Sequence, residues 1–452
     1  MGGLGTSGGT WGRSTNGWSP SVWLQSAFPL LAGPFLVWFL QLACHAQYQG
    51  VHNVFDSSIS AVVQAFVADP RRFFAAFLPR EISAAALRIV AAWYVLLLVL
   101  TLVLPGKKGY GLKTPAGYTL EYRVNGLAVF LVAHLIVLGA TYAGIISLSA
   151  VVDELNSILA LANMFGVLLS VFAYIKAWTF PSYPEDNKTT GFVPYDYLMG
   201  IEFNPRLGPL DLKLFTIGRV GMISWSMLNF CFVQKQYETF GQISNSMVLT
   251  VALQLVYIVD FFVREDWYLR TVDIGHDHFG YYLAWGCSVW LIWIYSASAS
   301  YLSRNLTHLA WYQIVVTLVL AAFSYLVFLQ SNQQKDLYRQ TNGKCNVWGK
   351  PASGLRVRYT TKDGVAHDSI LLTSGWWGVA RHFNYFADMI FSFSIGLATG
   401  STHAVAYGYG INMFFLLLHR SVRDEGRCRA KYGSGWDKYC QIVKYRIFPG
   451  IY

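Results

Sequence analysis

Residues 84–104 read AAALRIVAAWYVLLLVLTLVL, with Arg88 as the one charged residue in the run. A helix that crosses the hydrocarbon core of a bilayer needs about 20 mostly apolar residues. Comparable runs occur at 22–46, 126–150, 158–175, 220–233, 247–263, 281–301, 309–329, 386–399 and 405–418. In lipid only helices and closed barrels satisfy the backbone, and runs of this length are too long for barrel strands. The sequence therefore predicts an all-α polytopic membrane protein with about ten transmembrane helices.

The composition agrees with a chain whose surface largely faces lipid. Of 452 residues, 54% are hydrophobic and 13% are charged, whereas soluble domains carry about 25% charged residues. The net charge of +10 lies mainly in loops and in the C-terminal quarter. Beside a bilayer such charge can set topology, contact anionic lipid or hold a phosphorylated ligand, and we expect no nucleic-acid partner. The six cysteines form no C-x-x-C pair, so neither a disulfide framework nor a metal site is expected.

Several segments lie outside the apolar runs. Residues 1–20 are rich in Gly, Ser and Thr, and we predict a disordered N-terminus there, followed by one transmembrane domain over 21–452. Residues 264–280 form a dense polar patch between two apolar runs. Within 331–370, residues 356–370 alternate partly around Asp363-Gly364, which predicts a small extramembrane β-hairpin.

The chain has neither a Walker sequence nor a G-x-G-x-x-G run, so nucleotide phosphates would have to meet side chains. Lys335 and Arg339 are four residues apart and would share a helical face. A second basic set follows the last apolar run at helical spacing and comprises Arg420, Arg423, Arg427 and Lys431, interrupted by Asp424 and Glu425. Guanidinium groups bind phosphate oxygens in a bidentate manner, but a basic flank that sets topology is an equally open interpretation.

Residues 374–385 (SGWWGVARHFNY) place two tryptophans beside two glycines, which lets a flat ring approach the backbone. Arg381, Asn384 or Tyr385, and Asp388 are predicted to share one helical face. The alternative is an aromatic anchor at the membrane interface.

Two further groups of polar residues are candidates for chemistry. His276-Asp277-His278, with Asp273 nearby, could ligate a metal, but a hydrogen-bonding cluster is the favoured interpretation. Tyr257 and Asp260 lie about one turn apart inside an apolar run, so each is either functional or engaged in an interhelical hydrogen bond. The Tyr257 hydroxyl is predicted to be buried and hydrogen-bonded.

Long motifs in this chain resemble the sterol reductase family, which includes Δ7-, Δ14- and Δ24(28)-sterol reductases and the reductase domain of the lamin B receptor. These motifs are residues 200–206 (GIEFNPR), 260–280 (DFFVREDWYLRTVDIGHDHFG), 371–388 (LLTSGWWGVARHFNYFAD) and 423–450. Residues 268–273 and 334–339 resemble the Δ7 branch most. His278 stands where Δ14-reductases typically have glycine, which argues against Δ14 activity.

The resemblance implies a ten-helix fold in the endoplasmic reticulum membrane, with a scaffold and sterol side in the N-terminal half and an NADPH-binding part over about 331–452. It implies reduction of the C7–C8 double bond of a 5,7-diene sterol, and it is compatible with association with other enzymes of sterol biosynthesis. The residues that the resemblance assigns to NADPH are Lys335, Arg339, Leu372, Trp377, Asn384, Tyr385, Asp424, Cys428, Arg429, Ala430, Lys431, Tyr432 and Tyr439. No metal is implied.

The chemistry of such a reduction requires a proton donor, because an alkene without a carbonyl must be protonated before it accepts hydride. Tyr257 and Asp424 are the candidates for the proton path from the resemblance, with Tyr257 as direct donor and Asp424 near the nicotinamide or ribose. The alternatives are Δ14 or Δ24(28) reduction, a non-catalytic sterol-binding receptor on the same scaffold, and an isoprenylcysteine methyltransferase, whose C-terminal segment is similar.

Overall fold

The computed structural model describes residues 20–43, 67–71, 82–360 and 364–452. The predicted disorder of residues 1–20 falls almost entirely outside the described residues, since the first helix begins at Pro20. The long helices are α1 (Pro20–Ala43), α2 (Ala84–Val103), α3 (Gly126–Tyr142), α4 (Leu155–Thr179), α5 (Ser224–Phe240), α6 (Asn245–Val263), α7 (Trp311–Gln340), α8 (Phe383–Leu397), α9 (Gly408–Tyr432) and α10 (Ser434–Ile442).

The described part of the chain is mostly helical, and most of the apolar residues that it includes from the predicted runs lie in helices. By length and composition, α2, α4, α6 and α7 can each cross a membrane. The prediction of one helix over residues 126–150 is wrong, because α3 ends at Tyr142 and a short helix, Ser149–Asp153, precedes α4. The number of ten spans stays a prediction.

Short helical segments connect and interrupt the long helices. The run at 281–301 is not one regular helix but consists of four pieces, of which Gly286–Trp290 is π-helical. A second π-helical segment, Phe215–Ile223, leads into α5. The four pieces are Tyr281–Trp285, Gly286–Trp290, Leu291–Tyr295 and Ala297–Leu302. The remaining short helices are Pro184–Asp186, Val193–Met199, Leu212–Leu214, Glu265–Tyr268, Val272–Gly275, Trp376–Val379 and Ala404–Tyr407.

Two helices extend well beyond their apolar runs. The run that ends at 329 continues as α7 to Gln340, and the run that ends at 418 continues as α9 to Tyr432. These polar extensions carry most of the basic residues that the sequence pointed to. Helical continuation places those residues at one end of the molecule and on defined faces.

The strands in the described part of the chain form four separate antiparallel pairs. They are β1 (Lys107–Lys113) with β2 (Thr119–Val124), β3 (Arg206–Leu207) with β4 (Leu210–Asp211), β5 (Asn346–Val347) with β6 (Lys350–Pro351), and β7 (Gly354–Thr360) with β8 (Ala366–Leu372). The β7–β8 pair is the predicted hairpin, with Val357 opposite Ser369. The predicted single hairpin is thus joined by three further pairs.

A small apolar cluster joins this hairpin to the C-terminal helices. Val357 and Leu371 of the hairpin pack against Cys428 of α9 and against Trp436 and Tyr439 of α10. All five side chains are buried. The cluster therefore holds the hairpin over the polar end of α9.

Buried ion pairs position the polar loops between the helices. Lys176 Nζ donates to Glu202 Oε1 at 2.9 Å, and both side chains are 1% exposed. Arg219 donates to Glu265, which also accepts from the Gly126 backbone N–H at 2.7 Å. Each carboxylate thus holds a loop against a helix, and removing one partner would leave a buried charge uncompensated.

Candidate functional site

A cavity of about 1520 Å³ runs through the molecule from α1 to the β7–β8 hairpin. Typical small-molecule pockets measure about 300–1,000 Å³. This cavity is therefore large enough for two ligands in contact. Its walls change in character from one end to the other, because apolar residues of α1 line one end and cations of α7, α9 and β7 line the other.

Three cations at the polar end have no carboxylate partner within 4 Å in the described part of the chain. They are Lys335 and Arg339 of α7 and Arg356 of β7, and all three line the cavity. Lys335 Nζ lies 4.4 Å from the centre of the Trp377 ring. Since a cation without a counterion is available to an anion, these groups fit the phosphates of a nucleotide.

The arginines of α9 are used differently from those of α7. Arg420 Nη2 donates to Asp273 Oδ1 at 2.5 Å, and Arg423 Nη2 donates to Asp277 Oδ1 at 2.5 Å. Arg427 donates to Asp424 and, at 3.1 Å, to His276 Nε2. The acidic loop at 273–277 therefore neutralises one face of α9. Neither interpretation of the basic run anticipated this pairing.

Lys431 completes the basic set one turn beyond Arg427. Its Nζ lies 3.9 Å from the centre of the Tyr359 ring of the hairpin. Burial, followed by the charges of Arg427 and Arg339, lowers the pKa of Lys431 to about 8. A bound anion would offset this crowding of positive charge.

Asp424 lies beyond the apolar part of α9, among these cations. Burial alone would raise the pKa of its carboxyl, but the charges of Arg427, His382 and Lys335 outweigh burial and hold it well below the usual range. Its Oδ2 is 3.7 Å from His382 Nε2, and the Cys428 thiol donates to it at 3.7 Å. An ionised, ion-paired carboxylate can orient a ligand or a cation, but it is a poor proton donor.

The three residues of the His276-Asp277-His278 run face different partners. His276 accepts from Arg427, Asp277 accepts from Arg423, and His278 Nε2 donates to the Asp186 carbonyl at 3.0 Å. Burial, with the nearby charge of Arg427, lowers the pKa of His276 well below its usual value, in keeping with a neutral acceptor. Among the described residues no group of three His, Cys, Asp or Glu could hold a metal ion.

The aromatic run at 374–385 forms a wall of the cavity. Gly375 has φ +64°, and a Cβ there would lie 2.3 Å from Gln334 Oε1, so the close approach of α7 requires glycine. The Trp377 indole N–H donates to the Ser331 carbonyl at 2.7 Å, and Asn384 Nδ2 donates to Asn332 at 3.2 Å. The wall is thus attached to α7 by hydrogen bonds.

Arg381 does not share the helical face predicted for it. Helix α8 begins at Phe383, and the Arg381 and His382 backbone N–H groups donate to the Tyr445 and Arg446 carbonyls. The Arg381 side chain donates to the Val443 carbonyl at 2.7 Å and to Glu425 at 3.1 Å. Arg381 therefore anchors the C-terminal segment.

The cavity brings together most of the residues assigned by resemblance. Those that line it are Tyr257, Lys335, Arg339, Leu372, Trp377, Asn384, Tyr385, Asp424, Cys428, Lys431, Tyr432 and Tyr439. Arg429 and Ala430 lie outside the lining, and Arg429 forms an exposed ion pair with Asp437 at 3.1 Å. They occupy the face of α9 that turns away from the cavity.

Sequence reasoning missed Arg356 and Tyr359, which reach the cavity from the hairpin. Both lie in β7, where polar and apolar residues alternate, and this pattern is typical of an exposed edge strand without a function. His276 also contributes to the wall, although as a neutral acceptor and not as a ligand for a metal. The hairpin lies beside α9 through the Val357 cluster, and that packing is what brings these side chains to the site.

The other end of the cavity is apolar and aromatic. Phe28 and Leu36 of α1 line this end together with Tyr281 and Trp285. The rings of Tyr281 and Trp285 stack on each other, with 5.0 Å between their centres and an interplanar angle of 6°. A Cβ on Gly33 of α1 would lie 3.0 Å from the Trp285 ring. These flat walls suit a rigid, flat, apolar ligand.

Tyr257 of α6 lines the middle of the cavity. Its ring packs against Trp225 and Phe391 at 6.1 Å each. Asp260 does not partner it, because Asp260 Oδ1 accepts from Arg264 Nε at 2.7 Å. Tyr257 is held in place by aromatic packing and not by the neighbouring carboxylate.

Comparisons with known proteins agree with this geometry. The model of the ergosterol biosynthesis ERG4/ERG24 family matches residues 23–452. The chain is 41% identical to the 7-dehydrocholesterol reductase of Danio rerio, over 98% of this chain and 94% of that one. It is 36% identical to the 7-dehydrocholesterol reductase of Arabidopsis thaliana, over 96% and 99%. It is also 37% identical to the Delta(14)-sterol reductase of Methylotuvimicrobium alcaliphilum, over 94% and 93%.

Proposed function

This chain belongs to the ERG4/ERG24 family of membrane-bound sterol reductases, and from that premise we propose that it reduces the C7–C8 double bond of a 5,7-diene sterol with NADPH. The observation that carries the choice of bond is the similarity, at 40–41% identity over 98% of the chain, to two vertebrate 7-dehydrocholesterol reductases. Its multi-pass fold and family support a place in the endoplasmic reticulum membrane, where the sterol is dissolved.

The division of the cavity supports NADPH as the reductant. Lys335, Arg339 and Arg356 have no carboxylate partner among the residues that the structure describes, and they would hold the phosphates. Tyr359 and Lys431 stand beside them and would bound the adenosine half. Asn384 and Tyr385 also line the cavity, and they would contact the nicotinamide half of NADPH. Bound NADPH supplies the hydride.

The residues of the middle cavity account for the proton. In a 5,7-diene, protonation at C8 leaves an allylic cation over C5–C7, so the donor must face the sterol in a site that excludes water. Tyr257 fits this role, because it lines the cavity and its ring packs among aromatic side chains there. A phenol, with a reference pKa of about 10, keeps its proton at neutral pH until the sterol is bound. Trp225 and Phe391 orient its ring.

Asp424 serves a different purpose from Tyr257. The carboxylate is held ionised by Arg427 and faces the cavity beside His382. It is placed to accept a hydrogen bond from a ribose hydroxyl or a carboxamide. We assign it to orientation of the nucleotide, with Tyr257 as the direct donor.

The experiment compares two substrates in one preparation. Membranes from a host without its own sterol reductases, expressing this chain, are given either a 5,7-diene or an 8,14-diene sterol with NADPH or NADH. We expect the 5,7-diene to gain two mass units and lose its conjugated absorbance with NADPH. Faster reduction of the 8,14-diene would assign the chain to Δ14 reduction, and equal rates with NADH would show that the basic end does not recognise the 2′-phosphate.

A further inference from the structure

The acidic residues of the cavity wall fall into two groups. Seven line the cavity, and six of them pair with an arginine. The six pairs are Asp260–Arg264, Asp273–Arg420, Asp277–Arg423, Asp336–Arg270, Asp368–Arg358 and Asp424–Arg427. Asp388 of α8 is the seventh, and among the described residues it has no ion-pair partner.

Asp388 is also the member of the set whose side chain forms no hydrogen bond with the described residues. The residue is 6% exposed, and its buried Oδ1 has no hydrogen-bond partner in the described part of the chain. The charged group that acts on it is Arg420, whose guanidinium already donates to Asp273. A carboxylate buried without a partner loses its solvation uncompensated, so the neutral, proton-carrying acid is the stable form.

The position of Asp388 connects it to Tyr257. Asp388 and Phe391 are three residues apart on α8 and share a face, and Phe391 stacks on the Tyr257 ring at 6.1 Å. Tyr257 and Asp388 both line the cavity and interact electrostatically. The other titratable groups that act on Asp388 or surround the Tyr257 ring are Tyr268, Tyr295, Tyr409 and Arg420.

We propose that Asp388 is the proton reservoir that restores Tyr257 after each turnover, an inference that rests on the proposed function. Donation to C8 breaks the phenolic O–H bond and leaves a phenolate. Once the product has left, the carboxyl O–H of Asp388 breaks as the phenolic O–H re-forms, and water in the cavity carries the proton, because the two side chains form no direct hydrogen bond among the described residues. The carboxylate then regains a proton from solvent at the polar end. No electrons move in this step, since the hydride of NADPH supplies both electrons of the reduction. Transfer from an acid of reference pKa about 4 to a phenolate of about 10 is downhill.

The reservoir predicts a kinetic signature that a structural role would not produce. In Asp388→Asn the phenol of Tyr257 is still protonated at the start, so the first turnover should stay within about twofold of the wild-type rate. Later turnovers lack the internal proton source and should slow by about 10²-fold, the usual effect of losing an acid–base group. The trace should show a burst of one product per enzyme. Asp388→Glu should recover part of the steady-state rate.

The test uses rapid mixing of the full-length enzyme in detergent with saturating 5,7-diene sterol and NADPH. NADPH affinity and thermal midpoint are measured for every variant, and both should be unchanged in Asp388→Asn, because the amide matches the neutral acid in size and charge. The matched control is Ser394→Ala on the same helix, where the hydroxyl donates only to the Ile390 carbonyl. It should show no burst.

Two results would overturn the reservoir. Equal slowing of the first and later turnovers in Asp388→Asn would make the residue structural or cation-stabilising. A wild-type steady-state rate would make it dispensable. A wild type that does not reduce the diene contradicts the proposed function instead, so the two failures are distinguishable.

Discussion

Some cations of the cavity have a carboxylate partner and others do not. We therefore expect replacement of Arg339 to weaken NADPH binding and replacement of Arg423 to lower stability. Arg339 has no carboxylate partner among the described residues and lines the cavity, so Arg339→Ala removes a phosphate contact without leaving an acid unpaired. A hydrogen bond to a charged group contributes about 1.5–3 kcal/mol. The dissociation constant for NADPH should therefore rise about 10- to 150-fold, while the thermal midpoint stays near the wild-type value.

Arg423→Ala should do the reverse. Asp277, whose side chain is 6% exposed, would lose its guanidinium partner at 2.5 Å. Breaking a fully buried pair costs about 3–5 kcal/mol, and because Arg423 is 28% exposed we expect about 1–3 kcal/mol of stability to be lost here. NADPH affinity should change by less than about threefold, because Asp277 already neutralises this charge.

The assay is titration of purified variants with NADPH, followed by tryptophan fluorescence, with thermal unfolding in the same detergent. The reasoning is refuted if Arg423→Ala loses as much affinity as Arg339→Ala. It is also refuted if Arg339→Ala lowers the thermal midpoint and leaves affinity intact.

Three more predictions concern the site and its scaffold. Because burial and Arg427 lower the pKa of Lys431 to about 8, its charge is lost as the pH rises through that value. NADPH affinity should then fall by up to about tenfold per pH unit above about 8, and Lys431→Arg should make this fall shallower without abolishing it, because burial also lowers the pKa of Lys335 to about 8; a flat wild-type curve would exclude Lys431. Asp424→Asn should lower turnover and weaken NADPH binding together, and a loss of turnover alone would argue for direct proton donation. Gly280→Ala should cost more than about 2 kcal/mol, because a Cβ there would lie 2.1 Å from a backbone nitrogen, whereas Gly139→Ala meets nothing within 4 Å and should express normally.

The apolar runs predicted the helices because length and composition alone determine what can cross a bilayer. The β7–β8 hairpin was predicted from a different signal, the partial alternation of residues 356–370 around Asp363-Gly364. The β1–β2 pair escaped prediction, because KKGYGLK has no clear alternation and two glycines. The broken segment at 281–301 could not be predicted either, since a π-helical turn leaves no mark on hydropathy.

The site could be predicted where its residues lie close together in the sequence. It could not be predicted where a residue pairs with a partner that is distant in the sequence. Lys335 and Arg339 share a face of one helix, and the helix puts them in the cavity. The pairing of Arg420 with Asp273 joins residues 147 positions apart, and no pattern in the sequence links them. Arg381 does not lie on the predicted helical face, because it precedes α8 and its backbone N–H donates to the Tyr445 carbonyl of the C-terminal segment. Long-range pairing thus decides which cations remain available.

The position of isotopic label in the product shows which carbon receives the hydride and which receives the proton. The enzyme reduces a 5,7-diene sterol once with deuteride-labelled NADPH in H₂O and once with unlabelled NADPH in D₂O, and the products are analysed by NMR. We expect deuterium at C7 from NADPH and at C8 from D₂O. Label from NADPH at C8, label at C14 or C15, or an unreduced diene would contradict the proposed reaction.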